Sequence, residues 1–302
     1  MCGIVGLHLR DPELYPRLGS LLEAMLAGAT ERGPDAAGIA VYGDRERCPE
    51  GHAAVSLLGA PADPAADLRR VLPDLSDVTV RRFGVTTVIT APVDPDALAA
   101  AVRAAAPEAT VVGIGTDLVV YKDIGDPLEL AASYDIGSAT GWQALAHTRM
   151  ATESAITPEG SHPFSVGPDQ CLVHNGSFSN HATIRRALRR EGIEFDSEND
   201  TEVAARFVAA CLADGDGLEK ADLEKALHRL GEAFDGFYTL LVTTADGFAV
   251  VRDEIACKPA IVADHPRWVA MASEFRSLAV LPGLSEATIF EPEPGKVYAW
   301  QR

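Results

Sequence analysis

A cysteine stands directly behind the start methionine, in Met1-Cys2-Gly3-Ile4-Val5-Gly6. Once Met1 is removed, Cys2 carries a thiol and a free α-amine on one residue, a nucleophile with its own base. An α-amine titrates at about 7.7–8.0, close enough to neutrality to take the thiol proton during attack on an amide carbonyl. The alternative for a free cysteine is a small apolar core residue. Attack on a carboxamide also requires donors for the developing oxyanion, a grip on the substrate's charged ends and exclusion of water. Asn175-Gly176 ends a short apolar run, where a side-chain amide and a backbone N–H can converge on one oxygen; the same dipeptide is also a hairpin turn signal. Arg149 is a planar cation suited to gripping a carboxylate, or else a strand-end ion-pair partner. Asp200 can accept from a substrate ammonium, or serve the first turn of a helix beside its dipole. His147, His162 and His174 share no helical register and no second ligand pair, so they read as hydrogen-bonding supports of the site walls, with no metal site.

These side chains need elements to hold them. Gly3 onward reads as a buried strand. Leu18, Leu21, Leu22, Met25 and Leu26 recur at helical spacing over Leu18 to Thr30, and Arg32-Gly33-Pro34-Asp35 stops that helix. Gly38 to Tyr42 is a strand. The stretch from about 43 to 140 is richer in Pro, Asp and Ala than its flanks and reads as a small α/β insertion, with strand over Val85 to Thr90, helix over Asp94 to Ala106, and strands over Thr110 to Ile114 and Leu118 to Tyr121. Ala144 to Arg149 and Gln170 to Gly176 read as strands delivering polar ends to one edge. Ile184, Leu188 and Ile193 mark a helix closed at Gly192, and Asn199 with Glu202 is a capping-box candidate for the next. From Gly236 onward, β-branched runs alternate with turns, which predicts antiparallel strands at Phe237 to Thr243, Gly247 to Arg252, Ala260 to Ala263, Trp268 to Met271 and Lys296 to Trp300.

The 302 residues are 47% hydrophobic, enough for one large folded domain with an insertion, and the formal charge is −18. That charge argues against nucleic acid or an anionic membrane as partner, and Arg185, Arg186, Arg189 and Arg190 read as a solvated helix face. No stretch approaches the roughly 20 apolar residues of a membrane span, and no basic-then-apolar leader opens the chain, so a cytoplasmic location is expected. Five scattered cysteines form no Cys-x-x-Cys pair.

Cys2-Gly3-Ile4, Arg32-Gly33-Pro34-Asp35, His147-Thr148-Arg149-x-Ala151-Thr152, His174-Asn175-Gly176 and Asn199-Asp200-Thr201-Glu202 occur in that order. The set resembles the class II glutamine amidotransferase domain, a family of N-terminal nucleophile hydrolases. The resemblance covers residues 2–302 outside the insertion and implies an α+β fold, a four-layer αββα sandwich with two antiparallel sheets between helices. By resemblance, Cys2 is the nucleophile, Asn175 and the Gly176 N–H form the oxyanion hole, Arg149 binds the glutamine α-carboxylate and Asp200 the α-amine. Thr152 lines the pocket, and the loop of Arg32, Gly33 and Asp35 closes over the substrate. Val251-Arg252-Asp253, Lys258-Pro259 and Ala272-Ser273-Glu274 look like the segments that end this domain. Thr148 to Ser154 and Glu159 to Phe164 are similar to free-standing amidotransferase subunits of glutamate synthase-like and N-methylglutamate synthase systems. Met150 and Glu153 stand where sugar-aminating relatives carry an aromatic and a histidine, which points away from a hexosamine or purine acceptor.

The implied reaction is hydrolysis of L-glutamine to glutamate and ammonia through a γ-glutamyl thioester, with no cofactor on this chain. The insertion has no Gly-rich phosphate loop and no iron–sulfur cysteine set, and the chain stops at Arg302. The acceptor site is therefore expected on a separate synthase subunit, by resemblance a glutamate synthase-like one carrying flavin and iron–sulfur. Two other readings are a non-catalytic docking or regulatory subunit of the same fold and an N-terminal nucleophile amidase acting on another amide. Arg149 and Asp200, suited to the two ends of an α-amino acid, favour glutamine.

Overall fold

The computed structural model describes residues 2–73, 75, 77–150, 156–213 and 220–302. In chain order, the first half comprises β1 (Gly3–Leu9), α1 (Leu18–Ala27), β2 (Ala36–Tyr42), β3 (Ala53–Leu58), α2 (Pro64–Val71), β4 (Thr79–Phe83), β5 (Thr86–Ala91), α3 (Pro95–Ala105), β6 (Thr110–Gly115), β7 (Leu118–Ile124) and α4 (Pro127–Ser133). After it come β8 (Gln143–Arg149), β9 (Cys171–Phe178), α5 (His181–Arg190), α6 (Asp200–Ala213), α7 (Lys220–Ala233), β10 (Gly236–Thr243) and β11 (Gly247–Arg252). The chain finishes with β12 (Ile261–His265), β13 (Trp268–Ala272), the single turn α8 (Phe275–Leu278), β14 (Thr288–Phe290) and β15 (Val297–Gln301).

Two antiparallel sheets form the body, one ordered β14-β12-β13-β1-β8-β2-β7 and the other β15-β11-β10-β9. Every residue of β1 is buried, which explains why Gly-Ile-Val-Gly-Leu-His-Leu runs without polar alternation. Val5, Leu7 and Leu9 face a helical layer containing α1 and α4, through Leu18, Leu22, Met25 and Leu130. Ile4 faces the other way, into a second core shared with Val173, Leu241, Phe248 and Val250 of the smaller sheet. The outer face of that sheet packs Leu172, Leu240 and Val242 on α6 and α7 through Val208, Leu212, Leu227 and Leu230. The layers therefore run helix, sheet, sheet, helix, the αββα sandwich expected. Gly6 shows how closely the sheets approach: a Cβ there would lie 2.4 Å from Leu241 Cδ2 and 3.0 Å from the Phe248 ring.

A third antiparallel sheet, β4-β5-β3-β6, carries α2 and α3 and has its own core around Val55, Leu68, Ile89, Leu98 and Ile114. This unit occupies 53–115, inside the stretch read as an insertion. The strand at Leu118 to Tyr121, assigned to the insertion from sequence, instead continues to Ile124 and pairs with all of β2 in the larger sheet. Its alternation fits that place, with Leu118 and Val120 facing the inter-sheet core and Val119 and Tyr121 facing the helices. Asp169 pins the turn before it, its carboxylate accepting from the N–H groups of Thr116, Asp117 and Leu118 at 2.9–3.0 Å. β8 and β9, expected to share one edge, sit in different sheets and meet across the sandwich.

The tight sheet approach predicts that Gly6→Val overpacks the inter-sheet core and lowers unfolding free energy by about 1–3 kcal/mol. Denaturant titration checks it; an unchanged midpoint would contradict the packing described.

Candidate active site

Cys2 lies just before β1, and the chain behind it is held on three sides. The Gly3 N–H donates to Thr148 Oγ1 at 3.1 Å, and that hydroxyl donates onward to the Ala29 carbonyl. Ile4 and Ser273 exchange two bonds, Ile4 N–H to Ser273 Oγ and Ser273 N–H to Ile4 O, each 2.9 Å. The Cys2 carbonyl accepts from Arg32 Nε at 2.9 Å and from Asn175 Nδ2 at 3.1 Å. Arg32 is fixed in turn by Nη1 donating to Glu274 Oε1 at 2.9 Å, and that contact holds the Glu274 carboxyl below its usual range. The residues expected as nucleophile, oxyanion donor and covering loop thus meet at one peptide group.

Asn175-Gly176 is not a hairpin turn. Both residues lie within β9, paired with Thr239 and Tyr238 of β10. Gly176 has φ +149°, and a Cβ there would fall 2.0 Å from the Phe237 carbonyl oxygen and 2.8 Å from Tyr238 Cα. Only glycine fits that approach. Residues 171, 173 and 175 of β9 point between the sheets, which carries the Asn175 amide to Cys2.

Arg149 ends β8, where Pro34 bridges to it and the Asp35 N–H donates to its carbonyl at 3.1 Å. Gly33 lies against the same backbone, since a Cβ would come 2.5 Å from Thr148 C and 2.6 Å from Arg149 N. Arg32, Gly33 and Asp35 therefore line the end of β8 beside Cys2. Arg149 Nη1 donates to the Gly160 carbonyl at 2.9 Å, and Asn199 Nδ2 donates to the same oxygen at 3.2 Å. Gly160 thereby joins the arginine to the start of α6. Asp200 opens that helix and turns its Oδ2 to the Phe178 N–H at 3.0 Å, three residues past Asn175. The Asn199 side chain caps the helix through the Thr201 N–H. The expected capping box does not close, because Glu202 turns back to accept from the N–H groups of Asp196 and Ser197 at 2.8 and 2.7 Å. Thr152, expected to line the pocket, and Glu153 lie outside the described residues, as does Met1.

Behind this surface sit the three histidines, all buried. Thr201 Oγ1 bonds both His162 Nε2 at 2.8 Å and His174 Nδ1 at 2.9 Å, and the His147 and His162 ring centroids lie 4.1 Å apart. Burial pushes His147 down to about 3 and His174 to about 4, and holds His162 well below its ordinary value. At neutral pH the cluster is uncharged. Among the described residues no group of three His, Cys, Asp or Glu is placed to hold a metal ion. Sequence reasoning did not single out the supports Ser273, Glu274, Gly160 and Thr201 by role, although all four lie in motifs it quoted. It also missed Lys122, 2% exposed, whose amine sits 4.5 Å from the Phe164 ring centroid and is pushed down to about 8 by burial.

The glutamine amidotransferase-like protein GlxB of Rhizobium meliloti (strain 1021) is 47% identical over 306 residues, covering 99% of this chain and 98% of its own length. The chain belongs to the glutamine amidotransferase family. A family model described as a glutamine amidotransferase domain matches residues 147–280, the span that holds Arg149, Asn175, Gly176 and Asp200. Another relative named as a glutamine amidotransferase, from Methanothermobacter thermautotrophicus, is 30% identical over 325 residues and covers 99% of both chains. Among solved structures, the glutamine phosphoribosylpyrophosphate amidotransferase from B. subtilis superposes with a TM-score of 0.61 at 18% identity. That likeness covers 99% of this amidotransferase and 47% of the other chain, and it concerns the fold alone. This chain thus spans about half of that structure.

The buried imidazoles set a pH dependence. Unfolded histidines titrate near 6.5, whereas His8 and His174 are held at about 4 and His147 at about 3, so between those limits the unfolded chain binds more protons. Their contribution to stability is complete above about pH 6.5 and declines as pH falls towards 4. Denaturation midpoints should drop steadily from pH 7 to pH 5, with proton uptake on unfolding; a flat profile would contradict neutral buried histidines.

Proposed function

We propose that this amidotransferase hydrolyses L-glutamine at Cys2 and delivers the ammonia to a separate synthase subunit. The observation that carries the reading is the shared Cys2 carbonyl, which brings Asn175 from one sheet and Arg32 from the loop to the residue bearing the thiol. An amide Nδ2 has two hydrogens, so Asn175 can keep its bond to Cys2 and still offer a donor to an oxyanion beside the sulfur. The thiolate attacks the glutamine Cδ as the α-amine of Cys2, free once Met1 is removed, takes the thiol proton. The tetrahedral oxygen is held by Asn175 Nδ2 and the Gly176 N–H. The C–N bond breaks as the ammonium of Cys2 returns the proton, giving ammonia and a γ-glutamyl thioester. Water activated by the same amine then releases glutamate and the thiol. Arg149 grips the α-carboxylate, Asp200 the α-ammonium, and Arg32, Gly33 and Asp35 cover the site.

No step in this sequence needs a metal or organic cofactor on the chain. Ammonia is protonated and lost in water, so the product is useful only beside an acceptor site. The motif likeness to glutamate synthase-like and N-methylglutamate synthase subunits supports a flavin- and iron–sulfur-carrying partner of that kind. No helix among the described residues is long and apolar enough to cross a membrane, and we place the reaction in the cytoplasm.

Asn175→Ala should lower glutaminase kcat roughly a hundred- to a thousandfold, the usual effect of losing one oxyanion donor. Arg149→Lys should raise KM for glutamine by roughly tenfold or more with a smaller change in kcat. Steady-state assays check both, and near-normal turnover by Asn175→Ala would overturn the assignment. The chain alone should release ammonia without aminating an acceptor until the synthase subunit is added; amination by the isolated chain would refute the separate-subunit arrangement.

A further inference from the structure

A wide groove lies on the outer side of the smaller sheet. It is a groove of about 480 Å³ between α7, the start of β10 and the end of β11, within the size range of small-molecule sites. Its floor is Tyr238, only 4% exposed, whose hydroxyl has no hydrogen-bond partner among the described residues. The hydroxyl lies 3.7 Å from where a Gly231 Cβ would stand, so it points at the gap that glycine leaves in the α7 wall. Burial pushes the phenol up to about 12, with Asp253 and Glu254 adding to it, so the group is a neutral hydroxyl at physiological pH. With no protein partner, the hydroxyl is left for whatever fills the groove, and a ligand that donates to it replaces water there.

The charge around that floor is negative. Glu232, Asp235 and Glu254 line the groove and form no ion pair among the described residues. Arg252, a positive group in the wall, turns its Nη atoms to the carbonyls of Ala256 and Pro292 and to Glu291, and its Nε has no partner among the described residues. Phe234, Val251 and Val297 supply an apolar lining. We propose that this groove is a binding site for an organic cation, an amine with an apolar body, whose N–H donates to Tyr238 Oη while the carboxylates balance its charge. The site is on the opposite face of the sheet from Asn175, so its ligand is distinct from the glutamine of the reaction.

Calorimetric titration of the full chain with benzylamine at pH 7.5, and with benzoate as the probe of opposite charge, tests the proposal. Benzylammonium should bind saturably with a millimolar or tighter Kd, more weakly at high salt, and benzoate should not bind. Tyr238→Phe removes only the hydroxyl and should weaken the amine roughly fivefold to tenfold. Gly231→Leu fills the groove and should abolish binding, and Glu232→Gln with Glu254→Gln should weaken it without disturbing the core. No saturable heat with benzylamine, tighter binding of benzoate, or amine binding unchanged in Tyr238→Phe would each overturn the proposal. The readout is binding, so it is independent of glutamine turnover.

Discussion

The carbonyl of Cys2 is the point on which this structure turns. It lies just before β1 of the larger sheet, yet one of its two donors comes from β9 of the smaller sheet and the other from the loop after α1. The bond to Asn175 exists only while the two sheets pack face to face. The sandwich is therefore a condition of the site as well as its scaffold. Its inter-sheet core of Ile4, Val173, Leu241 and Phe248 sets the separation at which a short amide can span the gap.

Two features show how that separation is used. Gly6 admits the smaller sheet's side chains where any Cβ would collide with them, and Gly176 lets β9 press against the backbone of β10. Around this contact the polar groups are buried yet largely neutral: the histidines are held far below their usual values, and Thr201 ties two of them to the helix that presents Asp200. Apart from the Arg32–Glu274 pair, this neutral surround leaves Arg149 and Asp200 as the charges proposed for the two ends of the substrate.

Much of this was legible from sequence because the decisive signals are local. The apolar run of β1, the helical spacing of Leu18, Leu22 and Leu26, and the polar ends of β8 and β9 all identify elements without knowledge of neighbours. The order of the five motifs named the fold that local pattern could not. What was not legible depends on distant pairing. β7 follows the insertion directly, yet it pairs with β2 about eighty residues earlier, and no periodicity says which sheet a strand joins. β4 is an exposed edge with two arginines, so it lacks an alternating signature. α2 and α4 are short, although Asp63-Pro64 and Asp126-Pro127 are start signals of the kind that also opens α3, with the aspartate capping and the proline in the first turn. α7 carries Leu223, Ala226, Leu227 and Leu230 at helical spacing, a pattern present in the sequence but unused. The Asn-Gly pair misleads for a physical reason, since the positive φ that suits a hairpin also suits a strand residue crowded by its neighbour's carbonyl.

The central claim is that Cys2 is a terminal nucleophile facing a glutamine-shaped site. Intact-mass measurement of the purified chain after treatment with a diazo-oxo-norleucine glutamine analogue tests it most directly. The account predicts a chain lacking Met1 and carrying a single adduct that maps to Cys2, with free glutamine protecting against it. A chain that retains Met1 and stays unmodified, or an adduct on Cys257 with Cys2 untouched, would contradict it.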